Sequence, residues 1–268
     1  MRQRPYKRGA IKASLFYSFM MMLKEVMIVL DTIAPFEAAE EWDNVGLMVG
    51  DPCSEIKSVL VALDPTLEVI EAARETGMDL ILTHHPLIFK PISRIDLKDM
   101  IAKKIAMLLE ARINLVSMHT NLDKAPGGVA DELAKMLGLH DISNYGSLRV
   151  GSIKMPTPLG GWVHTLPVKS ARLIDVGRDV LMVGVCPGSG MDYWQQAREM
   201  GCDTFVTGDV RHHAGLDARE SSMNVLDLGH FGSEEIIIKP LTERLKQELK
   251  GIAVHAYQGR DIFSLYNN

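Results

Sequence analysis

The chain has 268 residues, 47% hydrophobic and 24% charged, which is the composition of a soluble globular protein with room for one large or two small domains. A formal net charge of −5 excludes a strongly basic nucleic-acid-binding surface as its main purpose. The scattered cysteines Cys53, Cys186 and Cys202 form no CxxC pair, which excludes a disulfide framework or thiolate zinc site and fits a reducing, cytoplasmic setting.

The chain opens with Arg2, Arg4, Lys7, Arg8 and Lys12 ahead of the apolar stretch Ala13–Leu23. That stretch is short for a signal peptide, and no A-x-A-like site follows it before Lys24 and Glu25. Met20, Met21 and Met22 offer alternative starts, so residues 1–21 are expected to be a dispensable extension. No other segment approaches the ~18 consecutive apolar residues of a membrane span, so no membrane partner is expected.

A helix is expected at about 24–40, strands at 58–63, 79–83 and 113–118, and helices at 67–76, 98–111 and 127–137. The strand LILT (80–83) runs into His84, His85 and Pro86. Neighbouring strand residues point to opposite faces, so the two imidazoles serve two targets unless the backbone turns there. Residues 140–180 are richer in Gly and Pro, with short β-like runs such as GGWVHTL (160–166). PGSG (187–190) offers backbone N–H groups suited to an anion, or is an ordinary glycine turn. Ser233 is expected to cap a closing helix that begins with Glu234 and Glu235, with Pro240 kinking it or resetting its start.

An internal repeat runs through these elements. VLVALDP (59–65) resembles LMVGVCP (181–187), and AARETGMDLILT (72–83) matches QAREMGCDTFVT (196–207) nearly position by position. Both helices stop at a glycine, Gly77 or Gly201, before an acid and a strand. INLVSMHTNLD (113–123) aligns with MNVLDLGHFGSE (223–234) if one residue is inserted, giving His119…Asp123 and His230…Glu234. Each copy is a β-α-β unit, which requires parallel strands covered by helices. The fold class expected is α/β, with two similar lobes facing each other: 22–124 plus 224–268, and 125–223.

Six of the nine histidines lie in four places, His84–His85, His119, His212–His213 and His230, each just past a predicted strand. Ligands of open α/β sheets bind outside those strand ends. Imidazole with carboxylate is the donor set for Zn, Fe, Mn, Co or Ni. Gly229 and Gly232 would let the backbone turn tightly enough to bring His230 and Glu234 to one side. His140, His164 and His255 lack such company and are read as ordinary histidines.

EEWDNVGLMVGDP (40–52), THHPLIFKPI (83–92), HTNLD (119–123), TGDVRHH (207–213) and GHFGSE (229–234), in this order, resemble the motifs of a known family. It is the dinuclear-metal family labelled GTP cyclohydrolase 1 type 2 homolog, also called Nif-three-like. The resemblance covers nearly the whole chain from about Met22 and implies the Nif-three-like fold, a ring-shaped homohexamer and two divalent metal ions. By motif it implies one ion on His85, Asp123 and Glu234 and the other on His84, His230 and Glu234, with Glu234 bridging. Asp43 and Asn44 match the WDN motif and either orient a ligand or fix the turn before GLMVG. His119 is a partner to a ligand, an acid–base group or a loop hydrogen-bonder. Asn44, His119, His212 and His213 are the substrate-pocket candidates, and no catalytic residue is singled out. The chain lacks the large inserted middle domain of longer family members. The family label implies hydrolysis of a guanine nucleotide ring by a metal-dependent hydrolase acting on a small molecule. A non-catalytic, metal-binding or regulatory oligomer is the alternative.

Overall fold

The computed structural model describes residues 20–264. In chain order the elements are β1 Met21–Met22, α1 Leu23–Ile33, β2 Gly46–Val49, β3 Glu55–Ile56, β4 Ser58–Ala62, α2 Leu67–Thr76, β5 Leu80–Thr83, α3 Met100–Ala111, β6 Asn114–Ser117, α4 Thr120–Lys124 and α5 Val129–Met136. There follow β7 His140–Tyr145, β8 Leu148–Pro158, α6 Leu159–Val163, β9 Arg172–Ile174, β10 Asp179–Val185, α7 Trp194–Glu199, β11 Thr204–Thr207, α8 His212–Glu220, β12 Asn224–Asp227, α9 His230–Glu234, α10 Ile238–Glu248 and β13 Ala253–Ala256.

Two sheets hold the repeat. The first runs β13-β4-β5-β6-β2 and the second β7-β8-β10-β11-β12-β9. Strands β13, β4, β5 and β6 are mutually parallel with β2 antiparallel at the edge. In the second sheet β10, β11 and β12 are parallel, with β9 antiparallel at the matching edge. The period-two alternation of each strand divides its residues between two cores. Val59, Val61, Leu80, Leu82 and Val116 face α1 and α10. Leu60, Ala62, Ile81 and Leu115 face α2 and α3. The second sheet does the same, with Val183, Val185, Val206 and Leu226 toward α5 and α6, and Phe205 and Val225 toward α7 and α8.

The closing helices change sides. Leu133, Ala134 and Leu137, on and just after α5, pack on the second sheet although α5 follows the first copy's His119–Asp123 turn. Leu241 and Leu245 of α10, which follows the second copy's turn, pack on the first sheet. Buried Arg149 anchors the first crossing: its Nε donates to Asp131 of α5 and its Nη2 to the Lys124 carbonyl at 3.2 Å.

Several local expectations need correcting. The first helix ends at Ile33, because Pro35 follows and residues 36–38 form a 3-10 turn. GGWVHTL is not a strand: Leu159–Val163 form α6, with Trp162 buried against the second core. Ser233 does not cap a helix; its Oγ donates to the His230 carbonyl and accepts from Gly188 N–H, both at 2.9 Å. The closing helix starts at Ile238, which places Pro240 in its first turn, where the missing N–H costs nothing. The expected return to the first lobe at 224 falls later, since Asn224–Asp227 pair with Thr204–Thr207 in the second sheet. Residues 1–19 of the expected extension lie outside the described residues, while Met21 and Met22 pair with Ile56 and Glu55. Among the described residues no helix is long and apolar enough to cross a membrane.

Candidate metal centre

Past Thr83 the strand ends in a bend that turns two successive N–H groups to the same neighbour, His84 N–H donating to the Ala62 carbonyl at 3.2 Å and His85 N–H to the Leu63 carbonyl at 3.0 Å. The backbone turn brings both imidazoles to one side, with their ring centroids 4.9 Å apart. His84 is buried and turns into its own half, where Nδ1 donates to the Met118 carbonyl at 2.9 Å. His85 turns across to the second half, with Nε2 3.2 Å from His230 Nε2 and 3.0 Å from Glu234 Oε2. His84 Nε2 lies 3.6 Å from Asp123 Oδ1 and 3.8 Å from Glu234 Oε1. The five side chains lie together, His84 beside Asp123 and His85 beside His230, whereas the resemblance implies His85 with Asp123 and His84 with His230.

Asp123 and Glu234 reach the centre from the short helices α4 and α9, each of which begins at or beside the histidine that ends a strand. Gly229 opens α9 at φ 73°, a left-handed value that favours glycine. Gly188 of the PGSG loop packs on Glu234 so closely that a Cβ there would sit 2.1 Å from Oε1. That loop does not present a free anion nest, since Gly188 and Gly190 donate to Ser233 and Thr207 hydroxyls.

Each imidazole is fixed through Nδ1. His85 donates to Asp64 Oδ1, His230 to Asp209 Oδ2 and His119 to Asp43 Oδ1, all at 2.7 Å. Fixing Nδ1–H leaves every Nε2 facing the centre, the arrangement in which metal-binding histidines are held. For Asp43 the geometry favours the orienting role over the turn alone, while Asp64 and Asp209 escaped the sequence reading. Their only signal is position, since LDP (63–65) and TGDV (207–210) follow strands. Asp209 adopts φ 52°, a strained value for a residue with a Cβ, while holding both His230 and Ser189 Oγ.

The other candidates divide. His119 joins the cluster, its ligand atom lying within 4.8 Å of those of His84 and His85. Asn44 does not; its Nδ2 donates to the Ile88 carbonyl at 2.5 Å and so ties two loops together. His212 and His213 are exposed in the first turn of α8, edge-to-face at 5.3 Å, and belong to neither donor group. His140, His164 and His255 are exposed.

Charge and burial strain the centre without an ion. Burial pushes Asp123 up to about 6. Against burial, Asp64 and Glu234 raise His85 to about 10, and Glu234, with Asp209, raises His230 to about 9. Glu234 itself is held well below the usual carboxylate range despite burial, by His230, His84 and His85. Burial would also raise Asp43, but bonds from His119 and Thr120 bring it to about 2.

A metal fits these donors. His84 Nε2 and Asp123 Oδ1 are buried with no hydrogen-bond partner among the described residues, a costly state for polar atoms. Tetrahedral donors at about 2.1 Å from an ion stand about 3.4 Å apart. The separations of 3.0 to 3.8 Å within the two groups bracket that spacing. A cleft of about 1550 Å³ opens on the His85–His230 edge, lined also by Asp64 and Asp209.

Two α/β sheets, with imidazole and carboxylate side chains from both gathered where their strands end, define the class of this protein. The chain belongs to the family described as Duf34/NIF3 (NGG1p interacting factor 3), which matches residues 21–261. It is 36% identical over 243 residues to the Clostridium perfringens protein named GTP cyclohydrolase 1 type 2 homolog, covering 85% of this chain and 93% of that one. A Methanocaldococcus jannaschii protein of the same name is 34% identical over 240 residues, with 85% and 96% covered. The crystal structure of Staphylococcus aureus protein SA1388 superposes with a TM-score of 0.85 at 31% identity, covering 92% of this chain and 99% of that chain. These relatives confirm the α/β architecture expected from the repeat.

Proposed function

We propose that the chain is a divalent-metal-dependent hydrolase acting on a nucleotide or a related small substrate. The observation that supports this most is the pair of buried atoms without hydrogen-bond partners among the described residues, His84 Nε2 and Asp123 Oδ1, 3.6 Å apart beside the Glu234 carboxylate. In this reading His84, Asp123 and one oxygen of Glu234 would hold one ion. His85, His230 and the other oxygen would hold the second, with the metal drawn from Zn, Fe, Mn, Co or Ni. When bound, such a pair supplies Lewis-acid polarisation and a water acidified toward neutral pH.

The chain's own groups complete the chemistry. Three protein donors per ion leave positions for substrate. His119 presents Nε2 beside the donors while Asp43 holds its Nδ1, an arrangement suited to taking and returning a proton. The name of the Clostridium perfringens relative supports a nucleotide as the substrate. A homohexamer in the cytoplasm belongs to the same reading. The exposed Ile92, Ile95, Leu97 and Met100 offer an apolar row that a second copy would cover.

Metal-replete protein is expected to hold about two ions per chain, as a two-metal site requires. Glu234→Ala should lose both ions together with any turnover in a screen of nucleotides and phosphoesters. Full occupancy in that variant would sink the bridging role. Two ions in the wild type without turnover of any substrate class would favour the non-catalytic, metal-handling oligomer.

A further inference from the structure

On its His119 side the centre is flanked by aromatic rings. Trp42 is 60% exposed and Phe89 44% exposed, beside a polar cluster. Their ring centroids are 5.9 Å apart with the planes tilted by 59°. Trp42 meets His119 edge-on at 6.2 Å, and Phe89 does so at 6.4 Å. His119 in turn lies 5.2 Å from the His84 ring and 5.6 Å from the His85 ring. The rings form an unbroken path from solvent to the donors.

Supporting His119 does not account for this arrangement. Asp43 already fixes that ring, and a tryptophan serving only as a buttress would bury its face, whereas more than half of Trp42 is open. The two rings are also set as a pair. Asn44, two residues after Trp42, donates to the carbonyl of Ile88, the residue before Phe89. Because Trp42 and Phe89 touch, no slot exists between them, and a ligand ring can only lie on the open face. Stacking on an aromatic side chain is worth ~1–3 kcal/mol per base and tolerates any planar ring.

We infer that Trp42, edged by Phe89 and tethered by Asn44, is a ring-stacking subsite that receives a planar heteroaromatic group and brings it to His119. The inference rests on the hydrolase reading and names the feature of the substrate that this mouth selects.

Trp42 reports on its own occupancy, because Trp162 and Trp194, the other two tryptophans, are buried. The test uses zinc-loaded full-length protein with GMP, AMP and ribose 5-phosphate, read by equilibrium dialysis and tryptophan emission. GMP and AMP should bind about tenfold or more tighter than ribose 5-phosphate and alter the emission, as base stacking predicts. Trp42→Ala should bring nucleotide affinity close to that of ribose 5-phosphate with zinc content unchanged, and Trp42→Phe should keep most of it. GMP affinity unchanged in Trp42→Ala overturns the subsite and leaves the nucleotide reading standing. Equal binding of ribose 5-phosphate and GMP overturns it too. A shift in sedimentation in Trp42→Ala shows the rings to be a subunit contact and overturns it as well. No binding of any probe to the wild type removes the subsite and the nucleotide reading together.

Discussion

Four carboxylates or carbonyls, those of Asp43, Asp64, Asp209 and Met118, decide which nitrogen each clustered histidine turns to the centre. Such partners typically hold 10–100-fold in metal affinity, so Asp64→Ala and Asp209→Ala should each weaken zinc binding by about that factor in a chelator competition. The pH dependence follows from the raised histidines. A histidine bound above its ordinary 6.5 stabilises the fold fully below that value and loses the contribution as pH rises through about 9 for His230 and about 10 for His85. Metal-free protein should therefore lose thermal stability between pH 7 and 10. Asp123, at about 6, has largely titrated before that window, and Glu235, raised by burial to about 7, completes its titration at the lower end of it. At neutral pH the protons on His85 and His230 must leave when metal enters, so affinity should fall as pH is lowered. Melting curves with chelator, flat from pH 7 to 10, would contradict this account. The histidines were legible in the sequence because an uncommon residue recurs at equivalent strand ends. Asp64 and Asp209 were not, because an aspartate after a strand looks like any turn aspartate. The placement of the pair was hidden for another reason: strand alternation would point His84 and His85 apart, whereas a backbone bend brings their rings within 4.9 Å.

At the scale of elements, the parallel strands were legible because buried strands read as continuous apolar runs bounded by glycine and proline. The helix 67–76 was equally clear, with Thr66 accepting from Val69 N–H at 3.2 Å and Gly77 ending it at φ 68°. GGWVHTL misled because alternation over so few residues does not separate a strand from one turn of helix. Glycines that looked alike in sequence differ in what surrounds them. A Cβ at Gly77 would meet open space, so Gly77→Ala should cost about 1 kcal/mol of backbone strain and leave metal content intact. Gly188 has φ 59° and the Glu234 carboxylate against it. Gly188→Ala should displace that carboxylate and lose metal as well as stability. Elemental analysis beside thermal melts distinguishes the two, and equal metal content in both variants would contradict the packing described for Gly188.

For the whole molecule, the repeat predicted two β-α-β units, and the structure adds that each copy lends its closing helix to the other. Apolar faces of α5 and α10 complete cores to which their own copies do not belong. Unfolding should therefore be a single transition, with tryptophan emission from Trp162 and Trp194 in the second half tracking the loss of helix overall. Two resolved transitions in the full chain would show that the halves are independent. His84, His85 and Asp123 come from one copy and His230 and Glu234 from the other, so metal should raise that one transition.

The crossing of α5 and α10 also determines how the chain tolerates being split. In topology it corresponds to a domain-swapped pair whose two chains have been joined end to end. Severed between Lys124 and Ala125, the piece before the cut lacks α10 and β13, while the piece after it carries both with no sheet to cover. The first piece should not fold alone, whereas the second keeps α5 on its own sheet and leaves the apolar face of α10 uncovered. Co-expressed, the two should reassemble into one particle and recover metal binding at the same moment, which makes this link a natural place to build a split reporter.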